Sequence, residues 1–270
     1  MKSPFDISNQ VVVVTGATGA LAGATARHLA ENGATVAIVG RHPEKMQKTV
    51  SEIEKLGGKS AYFVADVLDE PAIAQAAADI VAKFGRVDSL VNGAGGNMPG
   101  ATIPPDKSVF DLKMEDYGKV LDLNLKGTLI PTMAFAKLMT KNGGSIVNFS
   151  SMAATRMITR VVGYSNAKAG IDNLTEWLAM EFARNYGDKI RVNAVAPGFF
   201  IGEQNRALLT NSDGSYTDRG NRVVRQTPMG RFGDASEVPG AVHFLISPAA
   251  RFVTGAIIKI DGGFSIFSGV

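Results

Sequence analysis

The stretch Val11-Val12-Val13-Val14-Thr15-Gly16-Ala17-Thr18-Gly19-Ala20-Leu21-Ala22-Gly23 decides how the rest of the chain is read. Four β-branched residues in a row predict a strand buried on both faces, because a half-exposed strand would alternate with polar residues. A glycine-dotted turn follows, and then an Ala/Leu-rich helix that stops at Gly33. The same alternation continues outward. Strands are expected at 35–39, 61–65, 87–91, 145–149, 190–194 and 257–260. Helices are expected at 44–56, from Asp69-Glu70-Pro71 to Gly85, over most of 115–141, and at 163–186 and 235–246. Seven apolar strands alternating with helices imply an α/β fold. The expected architecture is a single-domain, Rossmann-type, doubly wound sheet of about seven parallel strands with helices on both faces.

Two segments break this rhythm. Residues 97–113 contain Pro99, Pro104 and Pro105 and predict an irregular loop. Residues 198–233 are long, polar and rich in glycine, and they follow the carboxyl end of a strand. A substrate lid is the expected use of such a loop.

Composition narrows the field. The chain has 270 residues, 28 Lys+Arg against 25 Asp+Glu for a net charge of +3, and no cysteine. A disulfide scaffold, a thiolate zinc site, an iron–sulfur cluster and a cysteine nucleophile are therefore excluded, and no metal is expected. The first ten residues lack an apolar signal core, and no stretch approaches 18 uninterrupted apolar residues. A soluble, cytoplasmic protein with neither membrane nor nucleic acid as partner is expected. The sequence pI near 9.0 still favours small anions.

The first turn is the natural place for one such anion. Glycine lets the backbone approach a phosphate closely, and the free N–H groups and dipole of the following helix attract it. Gly16, Thr18, Gly19, Ala20 and Leu21 are the candidates, although any βα unit needs a tight turn. Further candidates lie where neighbouring strands end. Asp66 and Val67 close the third strand, where a carboxylate could accept the adenine amino group. Asn92, Gly93 and Ala94 close the fourth, where small residues leave room for a ribose. Arg41 and His42 end the second strand, which has no carboxylate until Glu44. An acid there would bind ribose hydroxyls and repel a 2′-phosphate, so Arg41 favours NADP(H), with NAD(H) kept as the alternative. Arg41 could equally stack on adenine or face solvent.

Tyr164 and Lys168 share a helix face, and Ser150-Ser151 ends the strand before them. A Tyr-x-x-x-Lys pair alone is common on helix surfaces. Its place after that strand, downstream of a cofactor-type turn, makes it a candidate catalytic pair. Carbonyl reduction leaves negative charge on oxygen, and a free tyrosine, with pKa about 10, exchanges protons poorly near neutrality. A neighbouring ammonium would lower that value into the useful range.

These residues resemble the short-chain dehydrogenase/reductase family over essentially the whole chain. The family's Thr-Gly-x-x-x-Gly-x-Gly turn is altered here, with Ala20 and Ala22 at the later glycine positions and glycines at 19 and 23. Its Asn-Asn-Ala-Gly reads Asn92-Gly93-Ala94-Gly95. The resemblance implies that Tyr164 is the general acid/base and that Lys168 tunes it and holds the nicotinamide ribose. It also implies that Ser151 bonds the reacting oxygen, that Asn124 supports the lysine through water, and that Pro197-Gly198 is the turn beneath the nicotinamide. The family's threonine beyond that turn is replaced by Phe199-Phe200-Ile201-Gly202. A homotetramer is implied, with the tail from residue 257 to Val270 either in a subunit contact or folded on its own domain.

The positive charge is concentrated. Residues 41–48 carry a net +2, residues 151–170 carry +3, and residues 197–231 carry +2. Arginine forks suit carboxylates, so an acidic substrate is expected, although loop arginines are often solvated. Arg156, Asn205 and Arg206 join Ser151 and Tyr164 as substrate candidates, with Glu203 and Gln204 adding polarity suited to a hydroxylated anion. Longer strings outside the generic motifs include Glu203 to Leu209, Asp213-Gly214-Ser215, Thr227 to Gly233 and Asp261 to Ser265. They resemble the branch of the family that interconverts D-fructuronate and D-mannonate in hexuronate catabolism, a branch treated as NAD-linked. The competing readings are a dehydrogenase of another polyol, gluconate-type acid or acyl thioester, and a catalytically silent nucleotide-binding regulator.

Overall fold

The computed structural model describes residues 3–202 and 205–269. Glu203, Gln204 and Val270 lie outside the described residues.

Seven strands form one parallel sheet: β1 (Val11–Thr15), β2 (Thr35–Gly40), β3 (Lys59–Val64), β4 (Ser89–Asn92), β5 (Gly144–Phe149), β6 (Ile190–Pro197) and β7 (Ile257–Ile260). The spatial order is β3-β2-β1-β4-β5-β6-β7. The chain winds outward from β1 in one direction, then returns to pair β4 on its other side, with Thr15 opposite Asn92. This reversal opens a crevice at the carboxyl ends of β1 and β4, which is where open α/β sheets hold ligands.

The run of valines in β1 shows why the sheet is covered twice. Val12 and Val14 pack with α1 (Ala20–Glu31), α2 (Pro43–Lys55) and α9 (Pro239–Ile246). Val11 and Val13 point the other way, toward α3 (Glu70–Phe84), α5 (Gly127–Met139) and α6 (Val162–Tyr186). All four valines are buried. Cβ atoms alternate along a strand, so only an unbroken apolar run can supply both layers.

The helices begin and end for local reasons. Asp69 accepts from Ala72 N at the start of α3, and Gly85, at φ +82, terminates it. The predicted 115–141 helix is interrupted: α4 (Met114–Leu121) passes into a π-helical turn, Asp122–Lys126, before α5. The predicted last helix is a 3₁₀ turn, Ala235–Glu237, followed by α9. Residues 97–113 carry only two 3₁₀ turns, Pro99–Ala101 and Val109–Asp111. The 198–233 segment contains two short helices, α7 (Arg206–Leu209) and α8 (Asp218–Arg225). Leu209, Val223 and Phe232 form a small apolar cluster of its own beneath them. Among the described residues, no helix is long and apolar enough to cross a membrane.

Candidate active site

The turn after β1 is built for close backbone approach. Gly16 adopts φ +70, and a Cβ there would lie 2.6 Å from Ala94 N. Thr15 Oγ1 accepts from Gly93 N and Ala94 N, both at 3.2 Å, and so fixes the two strand ends together. No side chain caps α1, and its first turn carries no acid. Thr18, Gly19 and Ala20 are exposed there. The free N–H groups at this helix start fit a pyrophosphate.

The two departures from the family's motifs explain each other. A Cβ on Gly93 would lie 2.6 Å from Ala22 Cβ. The methyl group gained at Ala22 occupies the space that the missing side chain at Gly93 leaves.

Other predicted cofactor residues fall at the same edge. Arg41 Nη1 lies 3.5 Å from Asp66 Oδ2, both at the solvent boundary. Asp66 also accepts from Leu68 N at 3.0 Å. His42 is exposed at the start of α2. Leu21 is partly buried against the core. Val67 is buried beside Gly127, so only its backbone can reach a ligand. Asn92 turns its side chain inward, so that only its backbone is free to face a ligand. Its side chain is buried and donates to Thr132 Oγ1 and Asn148 Oδ1, both at 2.9 Å, tying β4 to α5 and β5. Pro197 ends β6, and Gly198 passes so close to Asp261 that a Cβ would meet its Cα at 2.7 Å.

The chemistry-bearing side chains converge where β5 meets α6. Ser151 caps the 3₁₀ turn Met152–Ala154, its Oγ accepting from Ala153 N at 3.1 Å. Ser150 is buried and donates to Asp172 on α6, which leaves Ser151 as the serine facing the tyrosine. Lys168 is 5% exposed, and its Nζ donates to Phe149 O at 2.7 Å while lying 5.4 Å from the centre of the Tyr164 ring. Burial pushes the Lys168 ammonium down to about 8, and the Asp172 carboxylate opposes that shift. Burial also pushes the Tyr164 phenol up, and the hydrogen bond with Ser151 pulls the other way. The sequence predicts the reverse, a phenol lowered by its lysine. The difference is physical: burial disfavours the phenolate more strongly than its neighbours favour it. At neutral pH Tyr164 therefore holds its proton and can donate it.

Asn124 sits in the π-helical turn and is fully buried. The widened turn lets its Nδ2 donate to Val120 O and to Gly96 O, both at 2.8 Å, while Oδ1 accepts from Gly96 N at 3.2 Å. It thus clamps the loop after β4 over the lysine: a Cβ at Gly95 would meet Asn124 Oδ1 at 2.7 Å and Lys168 Nζ at 3.4 Å. Asp172 is not marked in the sequence, because nothing in its spacing signals a tertiary contact; Thr15 and Gly95 stand within the family's motifs, but their contacts with the facing loop and with Lys168 are visible only in the fold.

A cavity of about 620 Å³ lies between residues 157–160, on the loop that leads to Tyr164, and α7, α8, Phe199 and Phe264. Two predicted substrate residues are engaged elsewhere. Arg156 donates through Nε to Ser265 O in the C-terminal tail. Asn205 folds its own loop, donating to Phe200 O and accepting from Gly202 N, both at 2.8 Å. Arg206 is exposed and outside the cavity lining. Cationic loop residues look alike in sequence, and only the fold shows which are turned inward.

A sequence profile described as enoyl-(acyl-carrier-protein) reductase matches residues 16–265. The chain belongs to the short-chain dehydrogenase/reductase family. It is 40% identical to a Haemophilus influenza protein solved with bound NAD and described as a candidate D-mannonate oxidoreductase, with TM-score 0.91 and 98% of each chain covered. A gluconate 5-dehydrogenase from Burkholderia cenocepacia, in complex with NADP and tartrate, is 29% identical at TM-score 0.86, with 97% of each chain covered. A 3-oxoacyl-acyl-carrier-protein reductase of Thermotoga maritima is 35% identical over 261 residues, covering 96% of this chain and 99% of that protein. This protein is thus an NAD(P)-dependent oxidoreductase of the family, and its single α/β domain carries the family fold.

Proposed function

We propose that this oxidoreductase interconverts a keto sugar acid and its hydroxy acid, D-fructuronate and D-mannonate being the pair the residues support best. The reading is supported by the Tyr164 phenol, hydrogen-bonded to Ser151, together with a cavity lined by Arg160, Arg219 and Arg222 on the loop that leads to Tyr164 and on α8. The dinucleotide supplies or accepts the hydride. In reduction, Ser151 donates a hydrogen bond to the carbonyl oxygen, and Tyr164 then delivers its proton there as that oxygen gains charge. The Lys168 ammonium stabilises the phenolate that remains, which regains its proton from solvent. The alcohol leaves with one hydride and one proton added, and oxidation reverses each transfer.

The 198–233 segment is read as the lid. Gly202 passes beside Ala20 of the phosphate turn, and residues within 207–226 of the segment line the cavity. Arg41, with no acid ending β2, is assigned to a 2′-phosphate, which favours NADP(H), with NAD(H) as the alternative. A homotetramer in the cytoplasm completes the proposal. Exposed Trp177, Met180 and Phe252 supply apolar contact surface, and light scattering on purified protein tests the assembly. The tail folds largely on its own domain, with Phe264 5.2 Å from Phe199 and Ser265 O bonded to Arg156.

Mixing purified protein with D-fructuronate and each reduced dinucleotide tests the reading. Oxidation of the dinucleotide with D-mannonate as product is expected. No oxidation of either dinucleotide would reject this substrate.

A further inference from the structure

We propose that Arg160 and Arg219 form the site that grips the carboxylate of the substrate, with Arg222 adding charge at its rim. The inference deepens the sugar-acid reading and rests on it for the identity of the substrate, but not for the existence of an anion site.

Three arginines line the same cavity: Arg160 from the loop between Ser151 and Tyr164, and Arg219 and Arg222 from α8. Arg160 and Arg219 are half-buried. Among the described residues none of the three forms an ion pair. Among the described residues lining the cavity the one acid, Asp218, lies at the start of α8. Burial and the charges of Arg160 and Arg222 push the Arg219 guanidinium below its usual range. Arg219 also lies in the first turn of α8, where the helix dipole disfavours a cation. Like charges gathered at a half-buried site are unfavourable unless an anion joins them.

The backbone holds the arrangement in place. Arg160 adopts φ +78, one of two such non-glycine residues among those described, and its carbonyl accepts from Ile103 N at 2.9 Å. Left-handed backbone in a residue with a Cβ persists only where surrounding contacts enforce it. Arg219 Nη1 donates to Thr159 Oγ1 at 3.1 Å, which ties α8 to the loop carrying Arg160. The cluster therefore joins the two walls of the cavity, four residues before Tyr164. A carboxylate held there leaves the rest of a short sugar chain to extend toward Ser151 and Tyr164. The concave setting favours a small carboxylate over the flat acidic surface of a carrier protein.

Calorimetric titration of D-gluconate into the NADPH complex tests the site, with sorbitol as the uncharged control. The wild-type protein is expected to bind gluconate more tightly than sorbitol. Arg219→Ala and Arg160→Ala should each weaken gluconate by roughly 10–100-fold, with NADPH affinity unchanged as proof of folding. Arg219→Lys should restore only part of the loss, since the fork is gone. Arg225→Ala, on the same helix but outside the cavity, should leave binding as it was. Equal binding of gluconate by wild type and both alanine variants would overturn the proposal. So would a wild type that binds gluconate no better than sorbitol, or variants that slow only an acyl-carrier-protein thioester. If D-fructuronate is not reduced while gluconate binding still depends on Arg219, the substrate assignment falls and the anion site stands.

Discussion

At the β1 and β4 ends the cleft is walled by backbone, whereas beyond β5 and β6 it is walled by side chains. Gly16, Gly93 and Gly95 all stand where a Cβ would strike a neighbour within 2.7 Å, and Thr15 and Asn124 lock the loops that carry them. The second wall, that of the cavity, is lined by Met157, Leu208, Arg219, Arg222 and Gln226, all on loops or short helices. The first wall suits a ligand that does not change, because backbone N–H groups read phosphate whatever the surrounding sequence. The second suits a ligand that varies, since arginines can be exchanged there without disturbing the sheet.

The contrast can be broken most severely at Gly16. Gly16→Ala forces a Cβ into a left-handed position and against Ala94, and should destabilise the fold by about 3–5 kcal/mol. Thermal melting checks this, and an unchanged Tm would deny that the turn is sterically fixed. Gly93→Asn comes next, at about 2–3 kcal/mol from overpacking against Ala22. Adding Ala22→Gly should recover at least half of that loss. Strict additivity of the two changes would show that they do not share a space.

Lys168 lies between the walls, and its effect is smaller and of opposite sign. The fold lowers its pKa from 10.5 to about 8. Below about pH 8 the native and unfolded chains both carry the proton, and the full penalty of burying the charge is present. Between about 8 and 10.5 only the unfolded chain keeps it, so the penalty fades as pH rises. Lys168→Met should abolish turnover yet stabilise the protein by about 1–2 kcal/mol at pH 7, after allowing for the lost bond to Phe149 O. That gain should shrink toward pH 10. In the wild type, kcat/KM for reduction should fall as pH rises through about 8. The smallest effect is expected at Arg206, whose replacement by Ala should change KM less than twofold because it lies outside the cavity lining.

The same contrast governs what could be read in advance. The seven strands and their parallel arrangement are legible because unbroken apolar runs are local signals, and short motif spacings single out the serine, tyrosine and lysine that the fold brings together. The π-helical turn at Asn124 is not legible, since one extra residue in a helical turn leaves no mark on apolar periodicity. Charge and polarity make Arg156 and Asn205 substrate candidates, while their bonds to Ser265 O and Phe200 O are tertiary contacts that the sequence does not show. Small residues after β4 mark room for a ribose in the sequence, but the inward turn of the Asn92 side chain toward Thr132 and Asn148 shows only in the fold. The direction of the Tyr164 shift depends on burial, which helix spacing does not reveal.

The central claim is that Tyr164 delivers the proton in carbonyl reduction. Tyr164→Phe tests it most directly, through turnover of D-fructuronate measured beside NADPH affinity. The expected result is a fall in kcat of about 10³-fold or more with dinucleotide binding essentially unchanged. Turnover within tenfold of wild type would contradict the account.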